Sequence, residues 1–104
     1  MATETIILDE NNLDDLPVRK SVYAIFASID NKPVNCRYVG ETDNLKERTN
    51  YHFSKSEQNE CLKEFMQSNK MKILIYELLP NSDKEERLKK EKEWIRKYNP
   101  QCNK

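Results

Sequence analysis

The chain has 104 residues, 35% of them charged, and its 18 Lys and Arg balance 18 Asp and Glu to a formal net charge of zero. That length supports one small core and excludes a catalytic domain joined to a separate recognition domain, while the charge balance excludes a global field drawing the protein to nucleic acid or an acidic membrane. Three cysteines, Cys36, Cys61 and Cys102, odd in number and without a Cys-x-x-Cys pair, argue against a disulfide framework and a structural zinc site, so reduced thiols in a cytoplasmic setting are expected.

The N-terminal TETIILDENN has no basic segment and only a short apolar run, so neither a signal peptide nor a membrane span is expected. Residues 1–20 read as an arm or edge strand, with a β-prone run at Thr5 to Leu8 followed by the acidic, turn-rich DENNLDDLP. SVYAIFASI, Ser21 to Ile29, is rich in β-branched and aromatic residues. The turn-forming Asp30-Asn31-Lys32-Pro33 separates it from a second extended run, Asn35 to Gly40, which predicts an antiparallel hairpin. Two helices follow, each opened by capping-box spacing: Asn44 to His52, with Asn44 and Glu47, and Ser54 to Asn69, with Ser54 and Glu57. The latter carries Cys61, Leu62, Phe65 and Met66 on one face and is an ordinary core helix. A third strand is predicted at Met71 to Leu78. A last helix, Asp83 to Lys97, follows Ser82, which pairs with Glu85 in a further capping box, and stops before Asn99-Pro100. The class is α+β: a small three-stranded antiparallel sheet flanked by helices, in one domain from 21 to 104.

Several side chains stand apart from this scaffold. Strand alternation puts Tyr23 on a face with Ile25 and Ala27, and Tyr38 on a face with Cys36 and Gly40, so the tyrosines can be cross-strand neighbours. Gly40 is the chain's single glycine, placed where a strand meets a helix start; it permits an unusual backbone angle or a close approach. The single histidine, His52, lies four residues after Arg48 on the same helix face, with Leu45 beside them. On the last helix an apolar stripe of Leu88, Ile95 and Tyr98, flanked by Trp94, has Glu91 at its centre, whereas Glu93 points to solvent. A carboxylate in that position needs a cation, a metal or a polar cavity.

In this order and spacing, SVY at Ser21 to Tyr23, YVG at Tyr38 to Gly40, ETDNLKER ending on Arg48, His52, Glu91 and the terminal NPQCN resemble the GIY-YIG nuclease superfamily over Ser21 to Asn103. The resemblance implies a small α+β catalytic module that cleaves phosphodiester bonds with one divalent ion, Mg2+ or Mn2+. It assigns catalytic roles to Tyr23, Tyr38, Arg48 and His52, metal binding to Glu91, and structural roles to Gly40 and the C-terminal Asn103. Either tyrosine could activate the water, helped by positive charge that lowers its ordinary pKa of about 10. Arg48 offers a planar fork to phosphate oxygens. The implied partner is nucleic acid, DNA before RNA, with a protein partner as a possible source of specificity and no membrane. Ser21 replaces the family's first glycine, and Glu41 stands after Gly40 where an acid would raise a neighbouring phenol's pKa unless it faces solvent. The competing expectation is a non-catalytic module with the same fold that binds nucleic acid or a protein.

Overall fold

The computed structural model describes residues 3–103. Four strands, β1 (Glu4–Leu8), β2 (Ser21–Ile29), β3 (Lys32–Thr42) and β4 (Lys72–Leu78), form one sheet in the order β1-β4-β2-β3 with every pair antiparallel. The sheet therefore has four strands and not the three predicted. The extra strand is the N-terminal run, which pairs along β4 from Glu4 with Tyr76 to Leu8 with Lys72. The residues before Ser21 also belong to the core: a 3-10 helix at Glu10–Asp15 brings Leu13, with Leu8 and Leu16, into the same buried cluster as Tyr23.

Helices α1 (Leu45–Phe53) and α2 (Glu60–Gln67) cover one face of the sheet, and α3 (Lys84–Tyr98) covers the other. β2 lies between β4 and β3 under both layers. Its residues Ser21 to Phe26 are all buried, a continuous run instead of an alternation, as a strand covered on both faces requires. One core cluster joins Tyr23, Ile25, Leu45, Leu62, Phe65, Met66 and Leu74 beneath α1 and α2; the other joins Val22, Ala24, Val39, Ile73, Ile75 and Trp94 beneath α3.

Helix boundaries depart from expectation at two starts. Ser54 is not the cap of a long second helix: its N–H and hydroxyl both bond Tyr51 O, closing α1. α2 begins five residues later, where the Asn59 side chain accepts from Leu62 N–H. The capping box of α3 is Asp83 with Glu86, one residue beyond Ser82 and Glu85. Asn99, with φ 47°, ends that helix in the left-handed region that asparagine tolerates.

The thiol expectation is also corrected. Beyond α3 the chain returns along the open edge of β3, where Gln101 N–H bonds Cys36 O and Cys102 N–H bonds Arg37 O. This return carries Cys102 to α2, where it is disulfide-bonded to Cys61 with a Cα separation of 5.4 Å. Cys36 is the leftover, buried cysteine, its thiol pushed up to about 12 chiefly by burial. Among the described residues no helix is long and apolar enough to cross a membrane.

Candidate active site

The two motif tyrosines share a face, as expected, but through a register the sequence did not show. Tyr23 lies opposite Gly40 and Tyr38 opposite Ile25, so the tyrosines are diagonal neighbours with ring centroids 6.2 Å apart. Two irregularities in β3, between the partners of Ile25 and Phe26 and of Phe26 and Ala27, skip Arg37 and Asn35. Each inserts an extra residue and switches the faces beyond it. Cys36 consequently packs with Val39 under α3, whereas Tyr38 packs with the cluster under α1, correcting the expectation that Tyr38 and Cys36 share a face.

This register explains the single glycine. A Cβ on Gly40 would stand 2.6 Å from Tyr23 Oη, 2.7 Å from its Cζ and 2.9 Å from Tyr38 Cε2. The φ of Gly40 is not positive, so the residue is needed for close approach alone. What approaches is the Tyr23 ring, lying across the β3 backbone.

Tyr23 is completely buried, and its hydroxyl lies 2.7 Å from His52 Nε2. His52, also without exposure, turns its other nitrogen, Nδ1, to Oε1 of Glu57 in a short contact. Glu57 sits in the loop between α1 and α2, and its second oxygen accepts the Asn59 N–H at 2.9 Å. The result is a buried chain of phenol, imidazole and carboxylate. The helical spacing that puts His52 beneath Arg48 is legible in the sequence, whereas Glu57, which its spacing from Ser54 marks as a capping-box partner, faces His52 instead. The cue available was an acid five residues after the only histidine, in a segment too short to continue α1.

The electrostatics fix the protonation of this chain. Burial pushes the Tyr23 phenol well above its ordinary range, with Tyr38 adding to the rise and Arg48 opposing it. Burial likewise raises Tyr38, against the pull of Arg48. His52 is lowered, mainly by burial, despite the carboxylate beside it. For Glu57 burial pushes upward but is outweighed by the Asn59 N–H and by His52, so the carboxyl stays below its ordinary value. At neutral pH the chain therefore holds a protonated phenol, a neutral imidazole and an ionised carboxylate. Because an ionised carboxylate can only accept, His52 carries its proton on Nδ1, and Tyr23 donates to Nε2.

Arg48 is half-buried on α1, with its guanidinium carbon 5.0 Å from the centre of the Tyr51 ring and its charge felt by both motif phenols. It faces an open cleft of about 320 Å³ at the C-terminal end of β3, lined also by Glu41, Thr42, Asp43, Lys84 and Arg87. Glu41 does not face solvent. Its side chain is 6% exposed and is paired with Lys84 and with Arg87 Nε at 3.0 Å, under α3 and away from the phenols.

Glu91 falls on the inner face of α3, as expected, although the stripe differs. Arg87 and Trp94 are the buried residues of the helix and Leu88 is 39% exposed, so the face runs Arg87, Glu91, Trp94, Tyr98. Glu91 is half-buried, its carboxyl raised by burial and by the charge of Glu41; its own charge in turn reaches Tyr38. Among the described residues it forms no salt bridge, while Glu93 is exposed as predicted. Nor is any group of three His, Cys, Asp or Glu among those residues placed to hold a metal ion. One carboxylate is nevertheless the donor set of a magnesium-type ion that keeps its waters and shares phosphate oxygens. A half-buried carboxylate that forms no salt bridge among the described residues fits such an ion.

Asn103 has a definite structural place. Its side-chain amide accepts from Val39 N–H and donates to Val39 O, both at 2.7 Å, mimicking a strand partner on the outer edge of β3 between Tyr38 and Gly40. Comparison with protein families matches residues 19–104 to the GIY-YIG catalytic domain. No curated protein matches the chain significantly.

Proposed function

Since this chain belongs to the GIY-YIG family, whose catalytic domains are generally nucleases, we propose that it is a divalent-metal-dependent endonuclease hydrolysing phosphodiester bonds in nucleic acid. DNA is the first substrate to test and RNA the second. The observation that carries this reading is the buried Tyr23–His52–Glu57 chain, whose phenol feels the charge of the cleft residue Arg48, while the half-buried Glu91 reaches the neighbouring Tyr38 by its charge.

Phosphodiester hydrolysis needs an activated water, charge stabilisation at phosphorus and help for the leaving oxygen. In this reading the base is not a resting phenolate, since burial favours the protonated form of Tyr23. The hydrogen-bonded chain removes the difficulty. As a water gives its proton to Tyr23 Oη, Tyr23 passes its own proton to His52 Nε2, and Glu57 faces the imidazolium that forms. The phenol is neutral before and after. Tyr23 has no exposure in the free chain, so substrate binding must open its hydroxyl to water, and Arg48, whose charge reaches that hydroxyl, is the group that would turn to the phosphate. Arg48 then binds two phosphate oxygens through its fork. Glu91 would hold the Mg2+ or Mn2+ ion, which supplies Lewis acidity and alignment when bound. Tyr38, half-buried between Arg48 and the charge of Glu91, orients the substrate oxygens.

Nicking of structured, branched or single-stranded substrates, or delivery by a protein partner, is the mode of action to test. A cytoplasmic chain would carry Cys61 and Cys102 as thiols, since disulfides persist in oxidising compartments. Cleavage of labelled duplex, branched and single-stranded DNA and of RNA, with Mg2+ or Mn2+, tests the proposal. Metal-dependent product that disappears in Glu91→Gln and survives in Glu93→Gln is expected. Equal behaviour of the two variants would remove Glu91 from the site. Salt-insensitive binding to a protein with no cleavage of any substrate would favour the non-catalytic module.

A further inference from the structure

We propose that Glu57 is a positioning residue for the reaction: it fixes the proton of His52 on Nδ1 and so keeps Nε2 open to receive the proton of Tyr23. This role rests on the nuclease reading above, and nothing in the family match assigns it. Three observations carry it.

The first is the completeness of the chain. Neither His52 nor Glu57 is more than 5% exposed, and each has its polar atoms assigned: Nε2 to Tyr23, Nδ1 to Glu57 Oε1, and Oε2 to the Asn59 N–H. A buried carboxylate without such partners would be costly, and with them it is locked.

The second is the loop that carries Glu57. Tyr51 Oη donates to Ser56 O at 2.7 Å, Ser54 Oγ accepts from Ser56 N–H, and Asn59 ties the loop end to α2 and, through its amide, to Cys102 O at 2.8 Å. The loop is therefore fixed on both sides of Glu57, and the carboxylate itself is held by the Asn59 N–H on Oε2 and by His52 on Oε1.

The third is the chemistry of the two tautomers. With the proton on Nδ1 the imidazole accepts from the phenol; with the proton on Nε2 it would donate to the phenol and could not take its proton. A serine-protease triad uses its buried aspartate in the same way.

Other groups facing His52 do not select the tautomer. Tyr38 from β3 and Tyr51 on its own helix present rings, at centroid distances of 5.2 and 6.2 Å, and Arg48 adds a positive charge that disfavours protonation of the imidazole. Glu57 is thus the acceptor that distinguishes the two nitrogens.

Glu57→Gln tests this sharply, because glutamine has one acceptor oxygen where the site asks for two. If its oxygen serves the Asn59 N–H, its amide donates to Nδ1 and the proton moves to Nε2. Since His52 is the only histidine, 15N-labelled histidine reports its tautomer directly, without any substrate. The wild type is expected to show a protonated Nδ1 and a bare Nε2, and the variant a shift toward the opposite pattern. Its kcat should fall at least about 100-fold, by analogy with the aspartate-to-asparagine change in a triad, with KM little changed. The lost activity should return as pH rises, because hydroxide needs no proton acceptor. Glu57→Asp keeps both oxygens on a shorter arm and should retain more activity than Glu57→Gln; it also serves if the glutamine variant does not fold.

A wild-type imidazole protonated on Nε2 would overturn the proposal. So would a shifted tautomer with undiminished cleavage, an aspartate variant worse than the glutamine variant, or a loss of kcat that is flat with pH. A wild-type chain that cleaves nothing would overturn the nuclease reading and the catalytic role of Glu57 with it, even where the spectrum shows the proton on Nδ1.

Discussion

Gly40→Ala is the substitution that most directly tests how the site is packed. The added Cβ would meet Tyr23 Oη at 2.6 Å and Cζ at 2.7 Å, against an ordinary contact of 3.4 Å or more, so the phenol must retreat by about 0.8 Å. A flexible side chain would absorb this, but Tyr23 is fully buried, bonded to His52 and packed against Tyr38. Overpacking of this kind costs about 1–3 kcal/mol, to be read as a lower midpoint in urea unfolding with an unchanged slope. The retreat would also break or bend the 2.7 Å hydrogen bond to His52. On the proposed mechanism, misplacement of that order costs roughly 100-fold in cleavage rate. Tyr23→Phe supplies the control: it removes Oη but leaves Cζ, so in that background the stability cost of Gly40→Ala should shrink without vanishing. Wild-type stability in Gly40→Ala, or an equal cost in both backgrounds, would refute the account of why this chain has a glycine there.

Other consequences can be measured without a substrate. Asn103→Ala removes both hydrogen bonds to buried Val39 and should cost about 1–3 kcal/mol in urea; a change within error would mean that water replaces the amide on the β3 edge. Reduction of the Cys61–Cys102 bond, or Cys61→Ser with Cys102→Ser, releases a loop spanning 41 residues. Loop-closure entropy puts the loss at about 4 kcal/mol, and equal thermal midpoints with and without reductant would show that the bond is absent. Acid should destabilise the fold through His52. Its folded pKa lies below the unfolded value of about 6.5, so the unfolded chain takes up the proton first as pH falls. That contribution is complete above the unfolded value and is lost as pH drops through the folded one. The melting temperature should therefore fall from pH 7 downward, less steeply in His52→Gln; identical slopes would mean that His52 takes up its proton at the same pH folded and unfolded.

Much of the site was legible because it depends on local periodicity. The i to i+4 placement of Arg48 and His52 and the inward face of Glu91 follow from helical geometry, and Gly40 declared itself by being alone. The remainder depends on tertiary choices that local patterns do not encode. Ser54 and Glu57 have the spacing of a capping box, yet Ser54 is better used to close α1, which frees Glu57 to turn inward to His52. The bulges at Arg37 and Asn35 have no glycine to mark them; Asn35 takes a φ of 49° that asparagine tolerates. An odd cysteine count concealed one bonded pair, because Cys61 and Cys102 meet only when the chain beyond α3 returns along β3. The stripe on α3 was read from its apolar residues, whereas the buried face also takes in Arg87, whose charge is neutralised by Glu41.

Zero net charge, which removes any global attraction for a polyanion, becomes intelligible at the level of pairs. Lys84 and Arg87 line the cleft, but both are bound to Glu41, so they offer phosphate little net attraction. Arg48 differs. Among the described residues it forms no salt bridge, and its guanidinium lies over an aromatic ring that cannot neutralise it. Glu91 is the matching exception among the half-buried acids. Arg48 reaches the end of β3 from the face under α1, and Glu91 reaches it from the face under α3. Their charges meet at Tyr38, whose acidity both affect in opposite directions. β3 is an edge strand, flanked by the returning chain from Cys36 to Val39, and beyond Val39 no strand among the described residues lies alongside it. A phosphate together with a divalent cation would complete both unpaired charges at once, which neither group could do for the other across the strand.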